Sequence, residues 1–262
     1  MTTIPFDAFQ DIWNIFLLVL VRITGMFFLS PVFGRRNIPN YFKVGFCFIF
    51  SVITANSIQM PAMSYTSLTA YVVLIARELL VGLTLGFISY LLFSSIYIAG
   101  QLIDMRIGFG MVSVFDPLTN VQIPVTADFY VIIATVMMLI TDAHHLLIQA
   151  MVDSYKILPI GEVVFNGEAI SQIFKLFTGV FALGFKIAAP ITVSILITDI
   201  SLGIVSKSMP QMNVFMLGMP IKIILGLSII FITISAFKGI VNVIIQGTYE
   251  EIYEFLRQAK GS

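Results

Sequence analysis

Charge is scarce in this chain of 262 residues: Lys, Arg, Asp and Glu together make up 11% of it, where a soluble domain has roughly a quarter. The shortage is matched by 58% apolar residues and a mean hydropathy of +1.01. An ordinary soluble domain is excluded, leaving an integral membrane protein or a helical assembly equally apolar. The 14 basic and 14 acidic residues cancel. With no broad basic face, nucleic-acid binding is set aside. Cys47 is the only cysteine, which excludes an intramolecular disulfide and a cysteine-rich metal site. Catalytic signatures are missing too. GFG at Gly108–Gly110 lacks the lysine of a phosphate-binding loop, no G-x-S-x-G elbow occurs, and no nucleophile and base pair is visible. Nothing supports an enzyme, and no cofactor or metal is expected. The N-terminal stretch has Asp7 and Asp11 but no basic residue, and the apolar run after it is too long for a signal peptide, so the first helix is expected to be retained.

What is present is a series of apolar runs of spanning length, at about 12–30, 42–58, 68–98, 129–151, 173–205 and 221–245. They predict an all-α fold of six long helices arranged in hairpins. At 1.5 Å per residue the run 68–98 would be about 46 Å long, against a hydrocarbon core of about 30 Å, so it tilts strongly or does not simply cross a bilayer. Breaks are expected at Pro31, Gly34 and Pro39, at Pro61, at Pro117 and Pro124, at Pro159, Gly161 and Gly167, and at Pro210, Gly218 and Pro220. The tail from Gly247 turns amphipathic and charged. Arg35, Arg36, Lys43, Arg106 and Lys207 fall in odd-numbered loops, which favours a cytoplasmic first loop and an outward N-terminus.

The segment Phe181–Gly226 reads as a helical hairpin around the polar turn Ser206–Asn213, with a proline, a lysine and an aspartate set in apolar sequence. Arg22, Arg77, Glu78, Asp142, Lys186 and Asp199 all lie within or at the edge of apolar runs. An isolated charge there costs at least a few kcal/mol, so these side chains are read as buried ion pairs fixing register between helices or subunits, in preference to an ion or proton relay. Arg77 and Glu78 are adjacent, so they point about 100° apart and each needs a different partner. Gly82 with Gly86, and Gly184 with Ala188, form small-xxx-small pairs that let backbones approach, either within the chain or towards another subunit. Asp142, His144 and His145 invite a metal reading, but neighbouring histidines on a helix face different ways, and a cap or interface role is preferred.

The third loop, residues 101–128, is long yet carries Met105, Ile107, Phe109, Met111, Val112, Val114 and Phe115 where a solvated turn would be polar. Gly108 and Gly110 permit sharp turns, and the Met and Phe side chains suit a deformable apolar plug. The residues alone leave open a re-entrant loop that fills core space.

Taken in order, Arg22 with SPVFGRRNIP (30–39), RELLVGLTLGF (77–87), AGQLIDMRIGFGM (99–111) with Phe115-Asp116-Pro117, LGIVSKSMPQMNVF (202–215) and GMPIKIILG (218–226) resemble the FliR family. These are subunits of the flagellar type III export gate, with injectisome relatives, and the likeness covers most of the chain. It implies a single export-gate domain in which residues 1–170 act like a FliP-type subunit, with a plug loop at about 104–126, and residues 171–262 like a FliQ-type hairpin and tail. It implies FliP-type and FliQ-type partners in a closed helical hetero-oligomer, further export-apparatus membrane components, and unfolded substrate proteins passing through the centre. The family's plug maps onto Ile107, Gly108, Phe109, Gly110, Met111, Val112, Val114, Phe115 and Asp116. Its entrance turn maps onto Ser208, Met209, Pro210, Gln211, Met212 and Asn213. Arg22, Arg77, Glu78, Lys186 and Asp199 would be the buried interface charges. The implied location is the bacterial inner membrane at the flagellar basal body, with the assembled gate largely above the membrane plane. The competing readings are an injectisome subunit, or a secondary transporter or channel with Asp142, Lys186 and Asp199 binding coupling ions.

Overall fold

A computed structural model of the chain describes residues 6–35, 37–58, 67–111, 124–211 and 213–260. Every regular element among them is helical: α1 (Phe6–Leu29), α2 (Asn40–Ser57), α3 (Leu68–Ile107), a 3-10 turn (Phe109–Met111), α4 (Val125–Ile140), α5 (Ala143–Ile157), α6 (Gly167–Ser208) and α7 (Val214–Gln258). Four of these helices are long and apolar enough to cross a membrane, or five spans if the bent pair α4 and α5 counts as one.

Among the described residues, seven α-helices stand where the apolar runs predicted six. The run 129–151 is divided at Thr141–Asp142, where Asp142 adopts a left-handed backbone (φ 55°, ψ 17°). Aspartate visits this conformation more readily than most residues, and hydropathy gives no sign of it. One proline misleads in the other direction: Pro190 lies in the interior of α6, within the run 173–205 as expected, but Pro220 lies in the second turn of α7 instead of ending the hairpin loop. Each removes one backbone donor, but a helix of more than forty residues is held by many others. The charged tail is likewise the continuation of α7, which runs unbroken to Gln258.

The chain forms two compact units, one from residues 1–91, 142–176 and 246–262, the other from residues 92–141 and 177–245. Helices α3, α6 and α7 contribute residues to both.

In the first unit, α1 packs on α3 through glycine. A Cβ on Gly82 would lie 2.1 Å from the Arg22 carbonyl oxygen, one on Gly86 2.6 Å from that of Met26, and one on Gly25 2.9 Å from the Leu83 nitrogen. Only bare backbone fits on both sides, so the Gly82/Gly86 pair serves packing within this chain. Helices α1 and α2 meet along a column of rings, with Phe27–Phe46 at 5.2 Å and Phe16–Phe48 at 5.3 Å between centroids. The ends of α6 and α7 are joined by Asn166, whose Oδ1 accepts from Ala169 N at 2.9 Å as an N-cap while its Nδ2 donates to the Gln258 carbonyl at 3.0 Å.

In the second unit, a Cβ on Gly184 would lie 3.0 Å from the Ser95 carbonyl oxygen of α3, so the second small-xxx-small pair also packs within the chain. Tyr130 of α4 sits 4.8 Å, centroid to centroid, from Phe237 of α7.

Candidate functional site

The chemistry-bearing part of the second unit is the frame at the base of the third loop. Helix α3 ends because Gly108 takes φ +101°, a conformation that L side chains rarely adopt, while its N–H closes the last turn on the Asp104 carbonyl at 3.0 Å. Among the described residues nothing crowds a Cβ at Gly108, and its backbone conformation by itself calls for glycine. Phe109–Met111 then make one 3-10 turn. Val112, Val114, Phe115 and Asp116 lie outside the described residues.

Both ends of the loop are fixed to the same scaffold. The Asp104 carboxylate, 5% exposed, accepts from Thr126 N at 3.0 and 3.1 Å and from Ala127 N at 3.4 Å. It therefore caps α4 from 22 residues away, where its charge also meets the positive end of the helix dipole. Helices α3 and α4 approach at bare backbone here, since a Cβ on Gly100 would lie 2.2 Å from the Ala127 Cα. On the other side Ile107, 1% exposed, presses on Gly226 of α7, where a Cβ would come within 2.4 Å of its side chain. Asp104, Gly100 and Gly226 carry no individual mark in the sequence. The available signal was an acidic residue at the end of one apolar helix with another helix start soon after the loop.

Beside Gly108 lies a cavity of about 560 Å³ bounded by Arg106, Gly110, Asp199, Leu202, Gly218 and Lys222. Asp199 and Lys222 form an ion pair across it, joining α6 to α7. Lys222 is thus the partner of Asp199. The hairpin turn is exposed at Ser208, Met209, Pro210, Gln211 and Asn213, while Met212 lies outside the described residues. Asn213 begins α7 by accepting from Met216 N at 3.2 Å through Oδ1.

The first unit holds a buried ion pair. Arg22 Nε donates to Glu78 Oε2 at 2.6 Å, with both side chains at 0% exposure. Arg22 Nη1 donates to the Leu158 carbonyl at 3.0 Å and to Ser154 Oγ at 3.3 Å. Its guanidinium lies 4.3 Å above the Tyr155 ring, whose hydroxyl donates to the Val19 carbonyl at 3.1 Å. Glu78 Oε1 accepts from Gly161 N at 2.9 Å. One ion pair thus ties together α1, α3, α5 and the turn after α5. Arg77, the neighbour of Glu78, is exposed on this chain, as is Lys186 on α6.

Asp142, His144 and His145 come together more closely than helix faces suggested, with donor atoms all within 4.8 Å of one another and the two rings 4.1 Å apart. The expectation of divergence concerned the two histidines, which both lie in α5, while Asp142 precedes the helix in its left-handed turn. Its side chain makes no capping bond to the helix. His145 and Asp142 are mostly exposed, and the positive end of α5 opposes a cation there.

Residues 13–248 match the family described as bacterial export proteins, family 1. The chain belongs to that family. Proteins named flagellar biosynthetic protein FliR are its relatives. The one from Bacillus subtilis is 34% identical over 254 residues, covering 96% of each chain. The one from Escherichia coli is 25% identical over 93% of this chain and 91% of its own, and that from Aquifex aeolicus 31% identical over 83% and 84%. The bacterial export family match runs from α1 into the last turns of α7, so it takes in both the capped loop frame and the Arg22–Glu78 pair. The family is named for export and these relatives for flagellar biosynthesis; none carries the name of an enzyme.

The cap gives a direct prediction. Replacing Asp104 with alanine should cost about 1–2 kcal/mol of local stability at the start of α4, which corresponds to faster amide exchange at Thr126 and Ala127 by a factor of about 5–30. Hydrogen exchange read by mass spectrometry checks it, with the middle of α4 as the internal reference. Unchanged exchange in the first turn would show that the capping bond does not hold the loop's second end.

Proposed function

We propose that the chain is a structural and gating subunit of the flagellar type III protein export gate, inserted in the bacterial inner membrane at the basal body. With FliP-type and FliQ-type subunits it would line the channel for unfolded export substrates. The observation that carries this reading is the mismatch between apolar length and apolar burial. Helices α3, α6 and α7 have 40, 42 and 45 residues, about 60–68 Å at 1.5 Å per residue, twice the thickness of a hydrocarbon core. The most apolar windows of α6 and α7, with mean hydropathy of 2.1 and 2.2, are only 33% and 17% buried by the chain itself. A bilayer covers about half of such a helix, and the rest needs protein neighbours. Arg77 and Lys186, exposed on the chain, would then meet partners at those contacts. The FliR names of the relatives favour the flagellar system over an injectisome.

Within the gate, residues 107–116 act as the plug. The Asp104 cap, the Gly100–Ala127 approach and the seat of Ile107 on Gly226 hold the loop's ends, while Gly108 supplies a turn that can swing without breaking a strong bond. The α6–α7 hairpin serves as the FliQ-type element, its turn facing the cytoplasmic entrance. A transporter reading is less well supported, because Asp199 is already satisfied by Lys222 and Asp142 and Lys186 are exposed.

One experiment tests both parts. The chain lacking residues 108–114 is co-expressed with FliP-type and FliQ-type subunits, the complex is weighed by native mass spectrometry, and ion conductance of the cells is recorded. The expected result is an intact hetero-oligomer with a leaky membrane. If the full-length chain purifies as a monodisperse monomer under the same conditions, the subunit reading fails. If the deletion complex is present and the membrane stays tight, the loop is core filler.

A further inference from the structure

We propose that Asp142, His144 and His145, at the start of α5, form a surface site for one divalent transition-metal ion of the zinc class. Both histidines of the chain are in this cluster. Its three ligand atoms lie within 4.8 Å of one another, with His145 Nδ1 3.7 Å from Asp142 Oδ1 and the two rings 4.1 Å apart. Around zinc, bonds of about 2.1 Å set tetrahedral ligands about 3.4 Å apart. The Asp142–His145 spacing is already close to that. Both side chains are mostly exposed, so a change of side-chain torsion, with no movement of the backbone, can close the remaining gap.

Two of the three residues lack the partners that would otherwise explain them. Asp142 stands at the N-cap position of α5, yet its carboxylate makes no capping bond, which is the usual use of an aspartate there. Among the described residues it forms no ion pair with a lysine or arginine, and the sequence holds no basic residue between Arg106 and Lys156. His144 Nδ1 is shut off from solvent with no hydrogen-bond partner, a cost that a ligand would relieve. Two imidazoles and one carboxylate suit Zn²⁺, Cu²⁺ or Ni²⁺ and not Ca²⁺ or Mg²⁺, which take oxygen ligands. The positive end of α5 works against any cation, but at an exposed position that is worth a factor of about 2–5 in affinity. Loss of a group that merely supports a metal ligand costs more, about 10–100-fold. An ion held by Asp142 and both histidines would join the left-handed residue to the first turn of α5, as a side-chain cap would have done.

The chain is purified from membranes without a histidine tag, together with the subunits that accompany it, stripped with EDTA and dialysed against graded zinc, and bound zinc is counted per copy of this chain. The parent should hold one ion per copy that is weakened at least ten-fold by each of Asp142→Asn, His144→Ala and His145→Ala. Calcium in excess should not displace it. Glu162→Gln, which alters an exposed carboxylate of the same unit outside the cluster, should change nothing. In the parent, X-ray absorption at the zinc edge should show imidazole nitrogen bound to the ion, and zinc should slow amide exchange in the first turn of α5. Native mass spectrometry confirms that each variant assembly keeps the parent composition. If a variant of any one of the three residues binds zinc as the parent does, the site is overturned. No uptake by the parent at millimolar zinc, or an absorption spectrum with oxygen ligands alone, overturns it as well.

Discussion

Replacing Glu78 with alanine should destabilise the chain by about 3–5 kcal/mol, the usual cost of leaving one member of a fully buried ion pair without the other. Arg22 and Glu78 are both at 0% exposure, and the arginine cannot shed its proton to relieve the loss. The damage extends further than one pair, because Glu78 also holds Gly161 N and Arg22 holds the Leu158 carbonyl. The start of the connection to α6 should therefore loosen together with α1. The measurement is the thermal or denaturant midpoint of the purified assembly, with chain abundance in membranes as a second reading. Arg22→Met in the Glu78→Ala background should recover part of the loss, since it removes the stranded charge, though it leaves the Leu158 carbonyl without its donor. A midpoint unchanged by Glu78→Ala would mean that the pair contributes nothing that packing does not already supply. Arg77→Ala, one residue away but exposed on this chain, should leave the midpoint of the chain's own fold nearly unchanged.

An equally large effect is expected from Gly82→Leu. The added Cβ alone would stand 2.1 Å from the Arg22 carbonyl oxygen, and the opposing atoms are backbone, which cannot rotate aside. Helices α1 and α3 would have to separate, and that would also pull Arg22 from Glu78. Overpacking typically costs about 1–3 kcal/mol, and coupling to the ion pair should carry this case to the upper end or beyond. Gly82→Ala should fall between leucine and the parent. Gly45→Ala makes the control: it too is in a helix, but a Cβ there meets no atom of the described residues within 4 Å, so it should be neutral or gain up to about 1 kcal/mol. Equal behaviour of Gly82→Ala and Gly45→Ala in the same unfolding assay would contradict the close α1–α3 approach.

The glycine series and the charge series illustrate different degrees of legibility. The spacing of Gly82 and Gly86 marked a helix contact before any partner was known, because small residues four apart leave a flat strip on one face. The same spacing could not name α1 as the partner. Arg22 and Glu78 were each recognisable as charges in need of a counterpart. That they are each other's counterpart, across 56 residues, depends on how α1 lies along α3. Asp104 gave still less warning, since an aspartate at a helix end is ordinary in sequence, and only the return of α4 makes it a cap.

By itself the sequence determined the all-helical class, the great length of the helices, the hairpin turn before Val214 and the family. The physical reason is that a backbone in apolar surroundings must satisfy its own hydrogen bonds, so long apolar runs can only be helices, and their ends follow from local turn chemistry. Tertiary structure alone decided that Pro220 sits inside a helix, that the run 129–151 breaks at Thr141–Asp142, that Asp199 pairs with Lys222, and that both ends of the third loop are fixed to one frame. These depend on which helix faces meet. A partner tens of residues away leaves no mark on local hydropathy, and in a chain apolar nearly all round, periodicity cannot tell the face that packs inward from the face that a neighbour or lipid must cover.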